Sequence, residues 1–416
     1  MNGISDGAVA GTPIAHSSGK ARMMVFRAFL AQNVAVGSAF GGFGVSVLAL
    51  QELYGATRGE TALALSLSVL MMGLASPFVA MLITRLGLRW TMTIGTLISG
   101  CGYAFLSIAP NIQVVMLLYA IPIGVGLAMF GPFPSSVLAS NWYRHRPGVA
   151  LGIANIPLLV AVLPIVGSII IRDYGLASLY MTLAAMHVVL LPLMLGISNS
   201  ATNGAEHSAA MSESEDVTPI ATHSVLRSPF FWGMALCAGF LNAVAITGIS
   251  HLAVFAAERG VSSQEAAGLL SILGGAGIIG SIAAGILSNG LGAATTLALI
   301  AAGMGISWLA LLSTPFFAIM ALASLTLGVG GAGIFPVVSM MAGRLFGQQS
   351  LSRVIGIYSP VTLPLTFFLP PLAGVLRDQM GSYTSVAGII IAGCAFVTVV
   401  FVMMGRRQPF AQSIAP

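Results

Sequence analysis

Two histidines lie within long apolar stretches of the chain, where a side chain that can carry charge is costly. His251 is the stronger candidate for chemistry, because a neutral imidazole can hydrogen-bond a carboxylate and can take up a proton near neutral pH. It is therefore predicted to contact a substrate and to serve in proton coupling. The alternative for His251, and the favoured interpretation of His187, is a structural histidine hydrogen-bonded to nearby backbone.

Amide and hydroxyl side chains are the other polar groups in these stretches. Asn33, Asn155 and Asn242 could donate hydrogen bonds to a substrate, and Tyr358 and Thr362 could add an aromatic ring and hydroxyl groups. Hydrogen bonding between neighbouring helices is the alternative role of the amides, and packing is that of the aromatic ring. Together with His251, these five side chains form the predicted substrate site.

Charged side chains are missing from the middle of the apolar stretches. The eleven acidic and sixteen basic residues fall where loops or helix ends are expected. No paired acids and no nucleophile with a base occur there, so an enzyme is the least expected class and no cofactor is predicted. Cys101, Cys237 and Cys394 lie in separate stretches, which indicates neither a disulfide set nor a metal site. The basic residues do not cluster, so nucleic acid is not an expected partner.

The composition requires lipid as the solvent. Charged residues make up 6% of the chain and the mean hydropathy is +0.98, whereas about a quarter of the residues in soluble domains are charged. Twelve stretches are long enough to cross roughly 30 Å of hydrocarbon as helices, and they are too long and unbroken for barrel strands. The predicted spans are 26–50, 61–83, 92–108, 114–135, 149–171, 179–197, 230–255, 266–287, 293–312, 317–341, 354–376 and 386–404.

The chain repeats itself at a nearly constant offset. Gly124-Val125-Gly126 recurs 204 positions later as Gly328-Val329-Gly330, and Arg172-Asp173 recurs 205 positions later as Arg377-Asp378. Such a register indicates two homologous halves in the same orientation, an arrangement found in one large class of transporters with the substrate between the halves. The predicted fold is an all-α membrane protein with twelve transmembrane helices in two parallel six-helix bundles.

A polar segment divides the two halves and reads as a flexible linker. Twelve of the sixteen basic residues fall on the side shared by both chain ends, which predicts that both termini are cytoplasmic. The predicted parts are a cytoplasmic tail 1–25, a first bundle 26–197, a cytoplasmic linker 198–227, a second bundle 228–404 and a cytoplasmic tail 405–416.

The segment between the second and third spans matches the pattern G-x-L-a-D-r-x-G-r-r at Leu82, Arg85, Gly87 and Arg89, with Thr84 at the acidic position. In this it resembles the gating loop on the inner side of the major facilitator superfamily, and the resemblance extends over essentially the whole chain. The resemblance implies that Arg85, Gly87 and Arg89 belong to a gate.

Three further segments resemble the monocarboxylate transporter and oxalate/formate antiporter branch of that family. Residues 141–154 are similar to its N-W-F-x-x-R-R-G-x-A-x-G-I-A signature, residues 54–60 to the start of its second span, and residues 381–383 to its G-s-Y turn. Arg144 and Arg146 of the signature are expected at cytoplasmic helix ends, where they can bond terminal carbonyls or lipid phosphates.

The resemblance implies a secondary active or facilitative transporter of the bacterial plasma membrane that moves a small organic anion, expected to be a monocarboxylate. Two bundles would rock about a central site in a monomeric unit, with protons as the candidate coupling ion. Efflux of a hydrophobic or neutral molecule is the first alternative, favoured by the charge-free interior. A membrane receptor or sensor that does not transport is the alternative from another class.

Overall fold

The structure is a computed structural model that describes residues 15–142, 153–198, 222–313, 316–347 and 350–411. Regular secondary structure in these residues is helical throughout. A short helix, Thr222–Arg227, precedes the seventh long helix. The long helices are α1 (Gly19–Tyr54), α2 (58–86), α3 (88–106), α4 (Ile112–Trp142), α5 (Leu158–Tyr174), α6 (Leu176–Leu195), α7 (Pro229–Ala257), α8 (Ser263–Leu291), α9 (Ala293–Ser313), α10 (Phe317–Phe346), α11 (Leu351–Met380) and α12 (Thr384–Ala411).

Gly87 divides what would otherwise be a single helix of 49 residues. Such a helix would be about 74 Å long, more than twice the thickness of a bilayer core. Gly87 has φ 78° and ψ 165°, a left-handed backbone geometry that glycine adopts at little cost, and it ends α2 and begins α3. The segment predicted as a gating loop is therefore helical except at this one residue.

The described residues contain twelve long helices, as predicted. Ten helical segments in the described residues are long and apolar enough to span a membrane, and one of these comprises α2 and α3. α5 is the twelfth and has 17 residues, enough for about 25 Å. The prediction of an all-α membrane fold is confirmed.

The two halves begin their second helices in the same way. At the start of α2, the Thr57 hydroxyl accepts from the backbone N–H of Glu60, and the Glu60 carboxylate accepts from the N–H of Thr57. Ser262 and Glu265 form the same capping box at the start of α8. This reciprocal cap satisfies donors that a helix start leaves open, so it fixes where each helix begins.

The repeated glycines mark equivalent close contacts between helices. A Cβ placed on Gly124 of α4 would lie 2.8 Å from the carbonyl oxygen of Ser68 in α2. In the second half, a Cβ on Gly328 of α10 would collide with the carbonyl of Leu273 in α8, which is 205 positions after Ser68. Only glycine permits these approaches, so the sequence repeat corresponds to a repeat in packing.

Several helix ends differ from the predicted boundaries. The first and last described residues, Ala15 and Ala411, both belong to helices, so part of each predicted tail is helical. Residues 222–227 of the predicted linker form a helix whose Val225 is buried. The predicted span 149–171 is interrupted, because the chain leaves the helix at 155–157 and restarts at Leu158. Pro157 explains this break, since proline disfavours helical backbone at the residue before it.

The two parts of α1 contact different halves of the bundle. We call the end where α1 begins and α12 ends the terminal face, and the opposite end the far face. Phe43–Tyr54, the part of α1 nearer the far face, packs against α7 and α8. Ala15–Val36, nearer the terminal face, packs mainly against α4, α5 and α6 of its own half. The structure is therefore closed at the far face.

Candidate functional site: a far-face latch and the space between the halves

Four charged residues join the two halves at the far face. Arg58 at the start of α2 lies 2.6 Å from the carboxylate of Glu258, which follows α7, and 3.4 Å from that of Asp378 in the last turn of α11. Arg377 also pairs with Glu258, at 2.7 Å. The four side chains are only 18–26% exposed, so water screens these pairs less than it screens surface ion pairs. We call Arg58, Glu258, Arg377 and Asp378 the far-face latch.

The latch also binds backbone. The Asp378 carboxylate accepts hydrogen bonds from the backbone N–H groups of Arg58 and Gly59, at 3.0 and 3.4 Å. These donors form the positive end of α2, where a carboxylate is stabilised by the helix dipole. Gly374 of α11 packs directly on the same turn, because a Cβ there would lie 2.5 Å from the nitrogen of Gly59. Charge and close packing therefore hold α2 against α11.

The repeat-related Arg-Asp pair has a different role. Arg172 and Asp173 at the end of α5 bind each other at 2.7 Å, and their side chains are 58% and 42% exposed. Arg172 also donates to Gln264 of α8 over a long distance of 3.5 Å. The two Arg-Asp motifs look equivalent in sequence, but the buried ionic contact lies between α2 and α11.

His251 is almost completely buried, at 1% exposure, and both its ring nitrogens have partners. Nε2 lies 2.8 Å from the carbonyl oxygen of Pro370, which can only accept, so Nε2 carries the proton and donates. In a neutral ring, Nδ1 then accepts from the hydroxyl of Tyr383 at 3.0 Å. His251 thereby ties α7 to α11 and to the start of α12, close to the latch.

Asn33 stabilises the break before α5. Its amide nitrogen donates to the carbonyls of Phe29 and Ile156, and its amide oxygen accepts from the N–H of Leu159, each at 2.9 Å. The Phe29 bond lies within α1, whereas the break at Pro157 leaves the Ile156 carbonyl and the Leu159 N–H without helical partners. Asn33 replaces them from α1, which is the interhelical role considered as its alternative.

Asn242 is half-buried, and its side-chain amide makes no hydrogen bond among the described residues. It shares a face of α7 with Ala245 and Ile249, three and seven positions on, and Ile249 lines a pocket between the halves. Asn155 is exposed and donates to the hydroxyl of Ser136 in α4 at 3.3 Å.

Tyr358 and Thr362 are both buried. They are 4% and 5% exposed and lie one turn apart on α11. The Thr362 methyl group packs on Gly239 of α7, 2.9 Å from where a Cβ would stand, and its hydroxyl donates to the Ser359 carbonyl. The side chain of Thr362 therefore packs between α11 and α7.

The pocket between the halves is small and apolar. Its non-atom space of about 190 Å³ includes open solvent, and in this conformation the pocket has room for little more than a water molecule. Helices α1, α5, α7 and α8 line it, through side chains that include Phe40, Val160, Pro164, Ile249 and Leu270. Within the described residues, no three His, Cys, Asp or Glu side chains meet in a group suited to a metal ion.

The predicted gate residues lie at the terminal face. Gly87 makes the turn, and the Arg89 guanidinium stands 5.4 Å from the centre of the Trp90 ring. Arg85 and Arg89 are exposed. Arg144 and Arg146 lie outside the described residues.

The latch is absent from the predicted site residues. Its acids were expected only as charges at helix ends, and Arg58 only as part of the 54–60 motif. The signal that could have pointed to it is the pair of recurring Arg-Asp motifs, each at the end of an apolar stretch.

Known proteins resemble this chain over most of its length. A family model described as Major Facilitator Superfamily matches residues 29–362. Monocarboxylate transporter 10 of Danio rerio is 24% identical over 400 residues, covering 91% of this chain and 78% of that protein. Monocarboxylate transporter 2 of Meriones unguiculatus is 23% identical and covers 83% and 76%. An uncharacterized MFS-type transporter, YcxA of Bacillus subtilis, is 23% identical and covers 80% and 81%.

Solved structures share the fold. A peptide transporter POT in complex with sulfate superposes with a TM-score of 0.74 at 14% identity, covering 93% of this chain and 95% of that one. A D-xylose-proton symporter superposes with a TM-score of 0.70 at 12% identity, covering 93% and 97%. The fold, the two repeated halves and the match of the family model agree. The chain therefore belongs to the Major Facilitator Superfamily and is a multi-pass membrane transporter, not an enzyme.

Proposed function

We propose that this protein moves a small monocarboxylate across the plasma membrane by alternating access. The observation that carries the substrate class is the near full-length similarity to relatives named monocarboxylate transporters. The far-face latch supports the mechanism, because it joins the halves through contacts that can break and re-form as the two bundles rock.

The substrate would meet neutral groups rather than a buried cation. Asn242 is the group we assign to the carboxyl, because its amide is unpaired among the described residues and lies on the face of α7 that lines the space between the halves. The apolar side chains that line the pocket two turns away suit contact with the hydrocarbon part of such a molecule once the halves separate. A protonated acid crosses such a site most readily, so the substrate's own carboxyl would carry the coupled proton.

The remaining site residues take supporting roles in this proposal. His251 and Asn33 hold helices in position, and Arg85, Gly87 and Arg89 belong to the gate at the terminal face. We place that face in the cytoplasm of a bacterium because most basic residues lie on it. A single chain would be the functional unit, since the space between its two halves contains the proposed site.

Export of a hydrophobic or neutral molecule is the second candidate. The observation that favours it is the wholly apolar lining of the pocket, together with the lack of charge in residues 266–287 of α8. A substrate without a carboxyl would need no partner for one.

Uptake into proteoliposomes tests the proposal. Purified protein is expected to take up labelled short monocarboxylates, faster with an inward pH gradient, and to ignore the corresponding neutral amides. Asn242→Ala should lower uptake roughly three- to tenfold through the lost hydrogen bond, without loss of stability. Asn289→Ala, at an exposed position near the end of α8, is the matched control. Transport of the amides but of no carboxylate would establish the second candidate instead.

A further inference from the structure

Three tyrosines in the first half have buried hydroxyl groups whose hydrogen bonding is incomplete. Tyr103 of α3, Tyr119 of α4 and Tyr180 of α6 are each at most 1% exposed. Among the described residues, none of their hydroxyl oxygens makes a hydrogen bond of normal geometry. A buried tyrosine usually finds a partner for its hydroxyl, so three hydroxyls with incomplete hydrogen bonding in a single core require an explanation.

Two of these hydroxyls, those of Tyr119 and Tyr180, are neighbours, and Tyr103 lies near them. The Tyr119 hydroxyl lies beside the hydroxyls of Tyr180 and Ser46 and interacts electrostatically with Tyr103. Ser46 of α1 is fully buried and donates to the carbonyl of Phe43, which leaves its oxygen free to accept. Polar groups from α1, α3, α4 and α6 therefore meet in one place, on the far-face side of the first half.

The backbone of α4 widens at this point. Tyr119–Ile123 is a π-helical segment containing Pro122, which has no N–H to donate. The ring of Tyr119 packs edge-on against Phe43 at 5.3 Å, so its direction is fixed by packing. The hydroxyl is thus held in position by apolar contacts and cannot turn away to another acceptor.

We propose that the first half binds buried water among these hydroxyls, at a site that we call the tyrosine chamber and define by Tyr103, Tyr119, Tyr180 and Ser46. Water fits the chamber because it can accept two hydrogen bonds and donate two, and buried waters typically make about three. The groups around it are uncharged hydroxyls, which suit neither a carboxylate nor a metal ion. The bound water would link four helices of one half.

Radiolytic hydroxyl-radical labelling of the full chain in lipid nanodiscs tests this proposal. Radicals formed from a bound water oxidise the side chains next to it, even when bulk solvent cannot reach them. All three chamber tyrosines are expected to gain oxygen, with slow incorporation of heavy oxygen from labelled bulk water. Phe231 and Phe401 are equally buried in apolar surroundings and should remain unlabelled.

Variants decide between water and direct contact of the hydroxyls. Tyr119→Phe should remove labelling at Tyr103 and Tyr180 and lower the Tm. Ser46→Ala provides the same comparison if Tyr119→Phe does not fold. Chamber tyrosines that remain as unlabelled as Phe401 would overturn the proposal, whether the hydroxyls then pair with each other or stay unpaired. Labelling unchanged in the folded variant would also overturn it.

Discussion

Arg58 and Glu258 are 200 positions apart and belong to opposite halves, yet they form an ion pair of 2.6 Å. The pair stands at the far face together with Asp378, which holds the first turn of α2 through its backbone N–H groups. Closure of the far face therefore depends on a few groups that can be changed one at a time.

Glu258→Gln should weaken the latch. It removes the carboxylate that pairs with both Arg58 and Arg377, and a partly buried pair of this kind is worth about 1 kcal/mol, or roughly a fivefold change in the closed population. Hydrogen exchange of the Arg58 and Gly59 amides should become faster. Asp173→Asn breaks an exposed pair within the first half and is expected to leave that exchange unchanged. Equal exchange in wild type and Glu258→Gln would contradict a role for the latch.

Gly374→Ala should separate α2 from α11. The added Cβ would meet backbone atoms of Arg58 and Gly59 at 2.5–2.6 Å, and backbone cannot rotate away. We expect a cost of about 1–3 kcal/mol, seen as a lower Tm and a slower transport cycle. Gly388→Ala adds the same methyl group on α12 where nothing lies within 4 Å, and it should behave as wild type. Similar Tm values for the two variants would exclude the tight contact.

His251→Ala should destabilise the second half. It leaves the Pro370 carbonyl and the Tyr383 hydroxyl without partners in a buried site, a cost of about 2–4 kcal/mol. Tyr383→Phe removes one of the two bonds and should cost less. Transport measured between about pH 5 and 8 separates the two roles of the imidazole, because only the loss of a proton-coupling group would change the pH profile. A stable His251→Ala protein with an altered pH profile would assign His251 to proton coupling instead of positioning.

Asn33→Ala should destabilise the first half. Two hydrogen bonds that support the break before α5 are lost, together with one to Phe29 within α1, for which we expect about 2–4 kcal/mol. Thermal unfolding followed by tryptophan fluorescence measures this. Asn289→Ala, in an exposed position, serves as the comparison. Equal Tm values for the two variants would show that the Asn33 amide does not stabilise the fold.

The helices were predictable because lipid restricts the backbone to structures that satisfy their own hydrogen bonds. A chain with 6% charged residues must place its backbone in helices of membrane-spanning length. Glu60 and Glu265 recur at equivalent positions because each caps a helix, and a cap is a local interaction visible in sequence. The glycine repeat is similarly readable, since close packing at Gly124 and Gly328 requires the absence of a side chain.

The partners of polar side chains were not predictable. Asn33 reaches Ile156 across 123 positions, and Arg58 reaches Asp378 across 320. Such pairs depend on which helix faces lie together, and hydropathy does not encode that information. The break at residues 155–157 changes the register of α5, so a substrate role and a structural role for Asn33 could not be separated beforehand.

The two lines of contact between the halves differ in what holds them. Along α2 and α11 the far end is held by charges. Along α5 and α8 the two backbones are in close contact, because a Cβ on Gly274 would lie 2.6 Å from the carbonyl oxygen of Val160. When the far face opens, the halves would separate at the Arg58 contacts and rotate about the line of contact between α5 and α8. The aperture would be widest beside α2 and α11, so a solute from that side would enter off the molecular axis.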